Sequence, residues 1–387
     1  MDVQLSQHEL AVALARVEHT GMARNTLTSL NNVAITVQGE TGVIRFRTTD
    51  LTTQTEMQLP IPPAPNDLCV VPIAPLAALI AKIPTANVRL QTTDQGLRIT
   101  AGRTTATLRT MSADQAPPML TTEVSDQAVT WTTTDALWRT IARRHLATVS
   151  LDASRPVLQG ILFKFHGASV TVVSTDGSRL SYSRYSLADL DHPVSEPVSA
   201  VFPVSFVQAL SKFSGTLTVT TNGRMATVDL EGHGTLTARC LHGEYPDYER
   251  VIPTQYPLQF TVSRDLLLAV IQRSLIITNH DRDKVMALTL SSETDLVLSA
   301  VSQTTGDNEE YLDIIDFHSD QPLQTDARYL FNPLFLADAL RTVQDPHCHF
   351  AITGTQSPMQ ITSAQDADYF TLVLPLRQLD PPQTQAS

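Results

Sequence analysis

The sequence is poor in cysteine and in long apolar runs, and each shortage excludes a class of protein. Its 387 residues hold three widely separated cysteines in no paired spacing: Cys69, Cys240 and Cys348. Such a set does not form a disulfide framework or a zinc motif. The longest apolar stretch, from Ile73 to Ile83, is interrupted by Lys82 and is too short to span a bilayer. The start at Met1 lacks the basic and apolar parts of a secretory signal, so we expect a cytoplasmic protein without a membrane partner.

Catalytic motifs are missing as well. The chain has no Gly-rich phosphate loop, no Gly-x-Ser-x-Gly elbow and no His-Glu-x-x-His helix. His347-Cys348-His349 groups three possible metal ligands, but a strand divides successive side chains between two faces. Glu309, Glu310 and Asp313 are expected in or beside an acidic, solvated loop. We therefore predict no metal, no cofactor and no enzymatic activity. An enzyme remains the alternative, and a buried carboxylate pair with shifted pKa values in a cleft would favour it.

The charge balance is acidic, with 27 Lys+Arg against 39 Asp+Glu and a net charge of −12. This argues against a general nucleic-acid coat, but not against DNA binding if the cations share one face. Six predicted helices carry nine basic and five acidic residues, which is +4 (9 − 5), and the remainder is −16 (−12 − 4). The helical faces are therefore predicted to meet a polyanion that the sheet faces repel. The nine basic residues are Arg16, Lys82, Arg139, Arg143, Arg144, Lys212, Arg264, Arg273 and Arg341.

A pattern of strand, helix, strands and second helix occurs three times. The second helices are predicted to start near Val71, Phe202 and Phe331, which are 131 (202 − 71) and 129 (331 − 202) residues apart. The first helices are predicted over Glu9–Val17, Asp135–Leu146 and Asp265–Leu275, where apolar residues recur at helical spacing. Predicted caps and first-turn prolines complete the helix signals: Ser6, Thr132 and Ser263 as N-caps, and Pro72 and Pro203 in the first turn.

Alternating runs punctuated by Gly and Asn surround each second helix and predict antiparallel strands. A chain of this length suits two or three domains. We predict an α+β fold of three homologous domains, each with two helices covering antiparallel sheet. The predicted domains are residues 1–118, 126–253 and 257–377. Residues 378–387 lack apolar periodicity and are predicted to be a disordered tail.

Three separated segments carry a family resemblance. The first, Val172–Leu180, is a β-branched run broken by Asp176-Gly177, which taken alone is a common hairpin turn. The second is Gly243–Pro253 and the third Leu372–Arg377. In this order and spacing they resemble the bacterial β sliding clamp family. Its Thr-Asp-Gly-x-Arg-Leu motif is matched at 175–180, its Phe-Pro-Asp-Tyr-x-Arg-Val segment at 245–251 with Tyr for Phe, and its final Pro-x-Arg at 375–377.

The resemblance covers residues 1 to 377 and implies a non-catalytic processivity factor. Two three-domain subunits would close head to tail into a ring around duplex DNA, without sequence specificity. The replicative polymerase, the clamp loader and repair proteins would bind through short peptide motifs in a cleft. The implied cleft residues are Leu158, Thr175, Gly177, Arg179, Leu180, Pro246, Arg250, Val251, Asn332, Phe335, Met359, Val373, Leu374, Pro375, Leu376 and Arg377.

Roles within the cleft follow from residue type. Leu180 and Leu376 are expected to form an apolar floor, Leu158, Val251 and Phe335 the walls, and Arg179 and Arg250 the entrance. The other reading, that such apolar residues belong to the core, stays open for about half of them. The implied DNA contacts are Arg24, Lys82, Arg139, Arg143, Arg144, Lys212, Arg273 and Arg341. The implied dimer contacts are Gly102 and Arg103 of one subunit and Ile276 and Ile277 of the other.

The sequence departs from the family pattern at four places. Ser178 stands where many relatives have His, Pro156-Val157 replace an aromatic pair, and Phe335 replaces a Tyr. The chain also continues ten residues past Arg377, where most relatives end. These departures leave a specialised paralogue, from a phage, a plasmid or a drug-resistance locus, as the alternative to a housekeeping clamp.

Overall fold

A computed structural model of the chain describes residues 1–21, 28–113, 116, 118–120, 128–187, 194–325 and 327–376. The chain forms two compact units. The first consists of Met1–Ala142, Leu162–Val170 and Ser186–Gly243, and the second of Arg143–Ile161, Thr171–Tyr185 and Glu244–Ser387. None of the described helices is long and apolar enough to cross a membrane.

Six α-helices occur in the described residues, all at predicted places. Their bounds are α1 Gln7–Gly21, α2 Ile73–Lys82, α3 Asp135–His145, α4 Val204–Leu210, α5 Arg264–Ile277 and α6 Pro333–Thr342. The expected first-turn positions of two prolines were wrong, because Pro72 and Pro203 end strands and precede the helices as N-caps. Lys212 lies beyond the end of α4, so the described helices carry eight of the nine predicted basic residues.

The helix caps differ from the prediction at two of three positions. Ser6 accepts a long hydrogen bond from the backbone N of Glu9 (3.5 Å). Thr132 was a wrong choice, since the strand continues to Thr134 before α3 begins. Ser263 does precede α5, but its hydroxyl makes no capping bond. Asn332 is an N-cap that sequence reasoning missed: its Oδ1 accepts from the N of Leu334 at 3.0 Å.

Twenty-four strands are described, and most lie in the predicted alternating runs. The first half are β1 Asp2–Ser6, β2 Asn32–Gln38, β3 Val43–Thr49, β4 Thr53–Pro60, β5 Asp67–Pro72, β6 Asn87–Thr93, β7 Gly96–Ala101, β8 Thr104–Leu108, β9 Val129–Thr134, β10 Gly160–Gly167, β11 Ser169–Thr175 and β12 Arg179–Ser186. The others are β13 Val194–Pro203, β14 Thr216–Thr221, β15 Met225–Asp229, β16 Gly234–Arg239, β17 Leu258–Ser263, β18 Met286–Leu290, β19 Asp295–Ser302, β20 Gly306–Ser319, β21 Arg328–Phe331, β22 His347–Ile352, β23 Met359–Ser363 and β24 Asp366–Val373.

Two antiparallel sheets form most of the first unit. One has the order β1-β6-β7-β8 and the other the order β5-β2-β3-β4-β16-β15-β14-β9. Helix α1 lies against β3, β4 and α2. Its fully buried side chains follow the i, i+3, i+4, i+7 spacing of an amphipathic helix, which explains why it covers the sheet: Leu10, Ala13, Leu14 and Val17.

The second unit is built on consecutive antiparallel strands in the order β12-β24-β23-β22-β17-β20-β19-β18-β21. Helices α5 and α6 pack on each other, and α5 also covers β19 and β20. Their buried side chains join those of the sheet in one core, which includes the stacked rings of Phe260 and Phe350, 5.1 Å apart. This order places β12 beside β24, although about 190 residues separate them in the chain.

Two expectations about polar residues can now be compared with the structure. The acidic loop was wrong, because Glu309, Glu310 and Asp313 lie within strand β20. His347-Cys348-His349 lies on strand β22 as predicted, and burial raises the pKa of the Cys348 thiol to about 12. The described residues contain no group of three or more His, Cys, Asp or Glu side chains that could hold a metal ion.

Candidate peptide-binding site

The Asp176-Gly177 turn is fixed by its own side chains. Oδ1 of Asp176 accepts from the backbone N of Ser178 (2.9 Å) and of Arg179 (3.0 Å). Oγ1 of Thr175 donates to the carbonyl of Arg179 (2.7 Å) and accepts from the N of Gly177 (3.1 Å). Gly177 has φ +92°, which favours glycine, and a Cβ there would lie 3.4 Å from Nη1 of Arg155. The motif therefore specifies one turn geometry.

Strand pairing brings this turn to the end of the described chain. Arg179 lies opposite Val373, and the N of Leu374 donates to the carbonyl of Ser178 at 2.9 Å. On the other side of β24, Met359 also lies opposite Val373. The N of Leu376 donates to the carbonyl of Leu330 at 2.7 Å, next to the start of α6. Segments from three parts of the sequence thus meet within the second unit.

Arg179 is held in place by two carboxylates and an aromatic ring. Its Nε donates to Oδ2 of Asp176 (2.9 Å) and its Nη1 to Oδ2 of Asp338 (2.8 Å). Its guanidinium carbon lies 4.3 Å from the centre of the Phe335 ring, a cation–π geometry. The side chain is only 12% exposed. Arg179 is therefore a structural part of this surface, whereas we expected a cation at an open entrance.

The segment from Pro246 to Val251 ends in one turn of 3-10 helix, Tyr248–Val251. Tyr248 is buried and packs on Tyr182, with ring centres 6.4 Å apart, and burial raises its pKa to about 12. Arg250 is 84% exposed, and its Nε forms an ion pair with Oδ2 of Asp247 at 2.7 Å. Because a surface pair of this kind is weak, Arg250 remains available to a partner.

Burial divides the predicted cleft residues. Leu158, Thr175, Leu180, Met359 and Val373 are buried in the core. The residues with accessible side chains or backbone are Gly177, Arg179, Pro246, Arg250, Val251, Asn332, Phe335, Leu374, Pro375 and Leu376. Leu180, expected as open floor, is 3% exposed and supports the surface from below. Arg377 lies outside the described residues.

The predicted cleft set left out Asp176, Asp338 and Arg155, although the Asp176-Gly177 turn itself was predicted. Asp176 could have been found, because an Asx side chain before Gly commonly bonds the backbone two residues on. Asp338 follows Phe335 by three residues on a predicted helix, which places both on one face. Nothing in the sequence indicates its long-range pairing with Arg179.

The predicted DNA-contact residues differ in exposure and in whether their charges are paired with carboxylates. Lys82, Arg139 and Lys212 are exposed, and Arg139 pairs with Asp135 at 2.8 Å. Arg273 pairs with Glu310, and Arg341 with Asp338 at 2.8 Å. Arg143 is half-buried, and burial together with the Arg144 charge lowers its pKa. Arg24 lies outside the described residues.

Arg144 is the clearest departure within this set. It is 9% exposed, pairs with Asp366 and stacks on Tyr369 at 4.2 Å. Burial lowers its pKa, but Tyr185 and Asp366 outweigh that and the net shift is upward. The guanidinium is buried and already paired within the second unit, so the prediction that Arg144 contacts DNA was wrong.

The predicted dimer contacts are accessible. Gly102 and Arg103 form the exposed turn between β7 and β8. Ile276, near the end of α5, is 68% exposed, and the adjacent Ile277 is partly buried. The Ile276 side chain is therefore accessible to a partner subunit.

Repeated helix pairs on antiparallel sheet, with an exposed apolar surface supported by the Thr-Asp-Gly turn, define a protein of the DNA-clamp class. Family models described as the N-terminal, central and C-terminal domains of the DNA polymerase III beta subunit match residues 1–121, 131–247 and 249–377. The chain belongs to the DNA polymerase III beta subunit family. The predicted clamp fold and function are thereby confirmed: the protein is a non-catalytic sliding clamp that gives DNA replication its processivity.

Known relatives agree with this assignment. The chain is 24% identical over 308 residues to the beta sliding clamp of Bacillus subtilis, covering 77% of each chain. It is 26% identical over 307 residues to that of Staphylococcus aureus, again covering 77% of each. The crystal structure of the beta subunit from Thermotoga maritima shares the fold, with a TM-score of 0.86, 20% identity, and coverage of 98% of this chain and 100% of that one.

Proposed function

We propose that the exposed apolar surface of the second unit is the peptide-docking cleft through which this clamp holds the polymerase, the clamp loader and repair proteins. The observation that carries the proposal is the convergence of 175–180, 246–251 and 373–376 with α6 in one unit. The accessible apolar side chains there suit a short peptide with Leu or Phe anchors. Two such anchors would contribute roughly 3–6 kcal/mol, so micromolar binding, which needs about 8 kcal/mol, also requires polar contacts to the peptide backbone.

Leu376→Ala tests the cleft by calorimetric titration with a partner-derived peptide. We expect affinity to fall about tenfold, because an accessible anchor contact is lost. Leu266→Ala is a matched control, since Leu266 is 58% exposed on α5, away from the three segments. Unchanged affinity in folded Leu376→Ala protein would remove the assignment. Leu180→Ala is a poorer test, because Leu180 is buried and its loss would also leave a cavity.

We further propose that two copies close head to tail, with the β7–β8 turn of one copy against the end of α5 and β20 of the other. Strand β8 is the edge of its sheet, and Arg98, Arg103 and Arg109 are exposed around it. Asp307 and Glu309 are exposed on β20. Opposite charges on these two different surfaces and the apolar Ile276 suit a head-to-tail contact between copies.

Sedimentation of the double variant Ile276→Asp/Ile277→Asp tests this interface. The wild type is expected as a dimer at micromolar concentration and the variant as a monomer, because an unpaired charge in an apolar contact costs several kcal/mol. Leu334→Asp, at an exposed leucine of α6, is the control and should stay dimeric. A monomeric wild type would contradict ring closure.

DNA, on this proposal, is held by enclosure. Lys82, Arg139, Arg143, Lys212, Arg273, Arg341 and Arg24 would supply sequence-blind phosphate contacts. Binding to short linear duplex should be weak and fall steeply with salt. Rings loaded on a nicked circle should survive high salt and leave once the circle is cut. Tight, sequence-specific binding to a short linear fragment is the contrary outcome.

The domain boundaries and the location are part of the same proposal. We place the domains at 1–118, 126–253 and 257–377, with 378–387 as a tail, and the protein in the cytoplasm, where a replication clamp meets the chromosome. Limited proteolysis should cut first near 118–126 and 253–257. Protection of both regions, with cleavage inside a proposed domain, would redraw the boundaries.

A further inference from the structure

Asp338 connects two features of the proposed cleft, the Arg179 cation and the Phe335 ring, although it lies outside the predicted cleft set. Its Oδ2 accepts from Nη1 of Arg179 and its Oδ1 from Nη1 of Arg341, both at 2.8 Å. Arg341 is half exposed, whereas Arg179 is almost buried. One carboxylate therefore receives a hydrogen bond from each of two arginines, and only one of these cations is kept from water.

Helical spacing explains why Asp338 can act on Phe335. The two residues are three apart on α6, so their side chains share a face. Arg179 reaches this face from β12, where it donates to Asp338 and covers the Phe335 ring at 4.3 Å. Asp338 consequently fixes the guanidinium, and the guanidinium fixes one face of the ring.

The charge balance shows what the cleft would recognise here. Asp176 and Asp338 both accept from Arg179, through Nε and Nη1, so its charge is compensated within the protein. A peptide carboxylate would have to compete with two carboxylates already in place. The surface at this point therefore favours an apolar peptide side chain against the accessible part of the Phe335 ring, and it does not favour an acidic group.

We propose that Asp338 is a positioning residue of the cleft: through Arg179 it holds the Phe335 ring as a preformed wall for an aliphatic or aromatic peptide anchor. This inference rests on the proposed docking function of the surface. A wall that is already ordered lowers the entropy cost of binding. Without Asp338, Arg179 keeps only Asp176 of its two carboxylates, and the Phe335 ring loses its fixed cover.

The test is a double-mutant cycle between positions 338 and 335, read out by calorimetric titration of the full dimeric protein with a partner-derived peptide. Asp338→Ala should weaken binding about five- to tenfold. In a Phe335→Leu background the same substitution should change affinity less than about twofold, because the ring it positions is gone. A merely structural role would lower affinity equally in both backgrounds.

Three further variants isolate the contact. Arg341→Ala removes the other partner of Asp338. Arg341 is proposed to contact DNA and lies outside the cleft set, so this variant is judged on peptide affinity alone, which should stay within about twofold of the wild type. Asp265→Ala breaks a comparable Asp–Arg pair on α5, with Arg264 at 2.7 Å, and should also be neutral. Asp338→Glu keeps the carboxylate and should recover part of the affinity. It also serves as the measurable variant if Asp338→Ala does not fold.

The outcomes separate this inference from the docking proposal. If Leu376→Ala weakens binding but Asp338→Ala leaves it unchanged, the cleft stands and the positioning role is overturned. Equal losses from Asp338→Ala with and without Phe335 also overturn it. If the wild type binds no partner peptide, the docking proposal and this inference fail together.

Discussion

Two arginines of the second unit are nearly equally buried and have the same kind of neighbours, but the aromatic rings beside them differ in exposure. Arg144 pairs with Asp366 and stacks on Tyr369 at 4.2 Å, while Arg179 pairs with Asp338 and stacks on Phe335 at 4.3 Å. Tyr369 is 1% exposed, and its hydroxyl donates to Oγ1 of Thr342 at 2.6 Å. Phe335 is only partly buried and has no hydroxyl.

The difference teaches what turns an Arg–Asp–aromatic group into part of a binding site. Around Arg144 the aromatic ring faces only protein, so the group offers no aromatic surface to a partner. Around Arg179 a second carboxylate, Asp176, also accepts a hydrogen bond from the guanidinium, and the Phe335 ring remains partly accessible. The chemistry is shared, and the exposed aromatic surface distinguishes the site.

The largest expected effect comes from removing Arg144, the arginine whose aromatic neighbour is fully buried. Arg144→Ala should lower the free energy of unfolding by about 3 kcal/mol, since it leaves Asp366 without its cation and Tyr369 without its cover. Urea denaturation measures this. Arg139→Ala, which breaks an exposed pair at 2.8 Å, is the control and should cost under about 1 kcal/mol. Similar losses in both variants would contradict the distinction drawn here.

The next effect is a loss of folding stability in acid, which we expect from His145, the residue after Arg144. Burial and then the Arg144 charge lower the pKa of His145 from 6.5 to about 3, and its ring nitrogens bond the hydroxyls of Ser174 and Ser183 at 2.9 Å. Below about pH 6.5 the unfolded chain binds a proton that the folded chain does not. Stability is therefore full above that pH and falls as pH drops towards the folded pKa, by about 1.4 kcal/mol per unit.

Urea denaturation between pH 7 and pH 4 measures this slope. His145→Gln should make the dependence shallower, because the replacement does not titrate. His318→Gln is the matched control, since His318 is 66% exposed. A His145→Gln protein with the wild-type slope would show that His145 is not the group responsible.

A smaller effect sharpens the comparison at Arg179, the arginine whose aromatic neighbour is accessible. Arg179→Lys keeps the charge but loses the planar fork that spans two carboxylates and covers Phe335. We expect peptide affinity to fall about two- to fivefold, the size of an exposed cation–π contact. Calorimetric titration measures it, with Arg224→Lys, at an exposed arginine outside the cleft set, as the control. A wild-type affinity in Arg179→Lys would mean that charge alone is needed.

The smallest expected effect concerns residues 378–387. Because their sequence has no apolar periodicity, their removal should leave peptide affinity unchanged in the same titration. Tighter binding by the truncated protein would instead show that the tail competes for the cleft.

The helices and most strands were predictable because periodicity and punctuation are local signals. Pro203 and Thr132 were misplaced because the strand before each helix runs further than its residue types indicate. The Thr-Asp-Gly turn was predictable down to its glycine, since only φ > 0 suits that position. The exposure of each apolar residue was not, because Leu180 and Leu376 look alike in sequence and only packing separates them.

The pairings of Arg179 and Arg144 were unpredictable for the same reason. Asp338 is 159 residues from Arg179, and Asp366 is 222 residues from Arg144. A charge on a helix suggests solvent or DNA until the opposing carboxylate is known. The ion-pair partners of these arginines could therefore be identified only from the fold, whereas the turn geometry could be predicted from the sequence.

The stack of Arg179 on Phe335 also bears on inhibitor selectivity. A small molecule that fills this cleft meets a ring without a hydroxyl, whose far face is already occupied by a cation. A compound that places a halogenated aryl group on the open part of this ring, and no hydrogen-bonding group, should prefer this clamp to relatives with a tyrosine there. Compounds that gain affinity by hydrogen bonding to the tyrosine hydroxyl of those relatives should bind this protein more weakly.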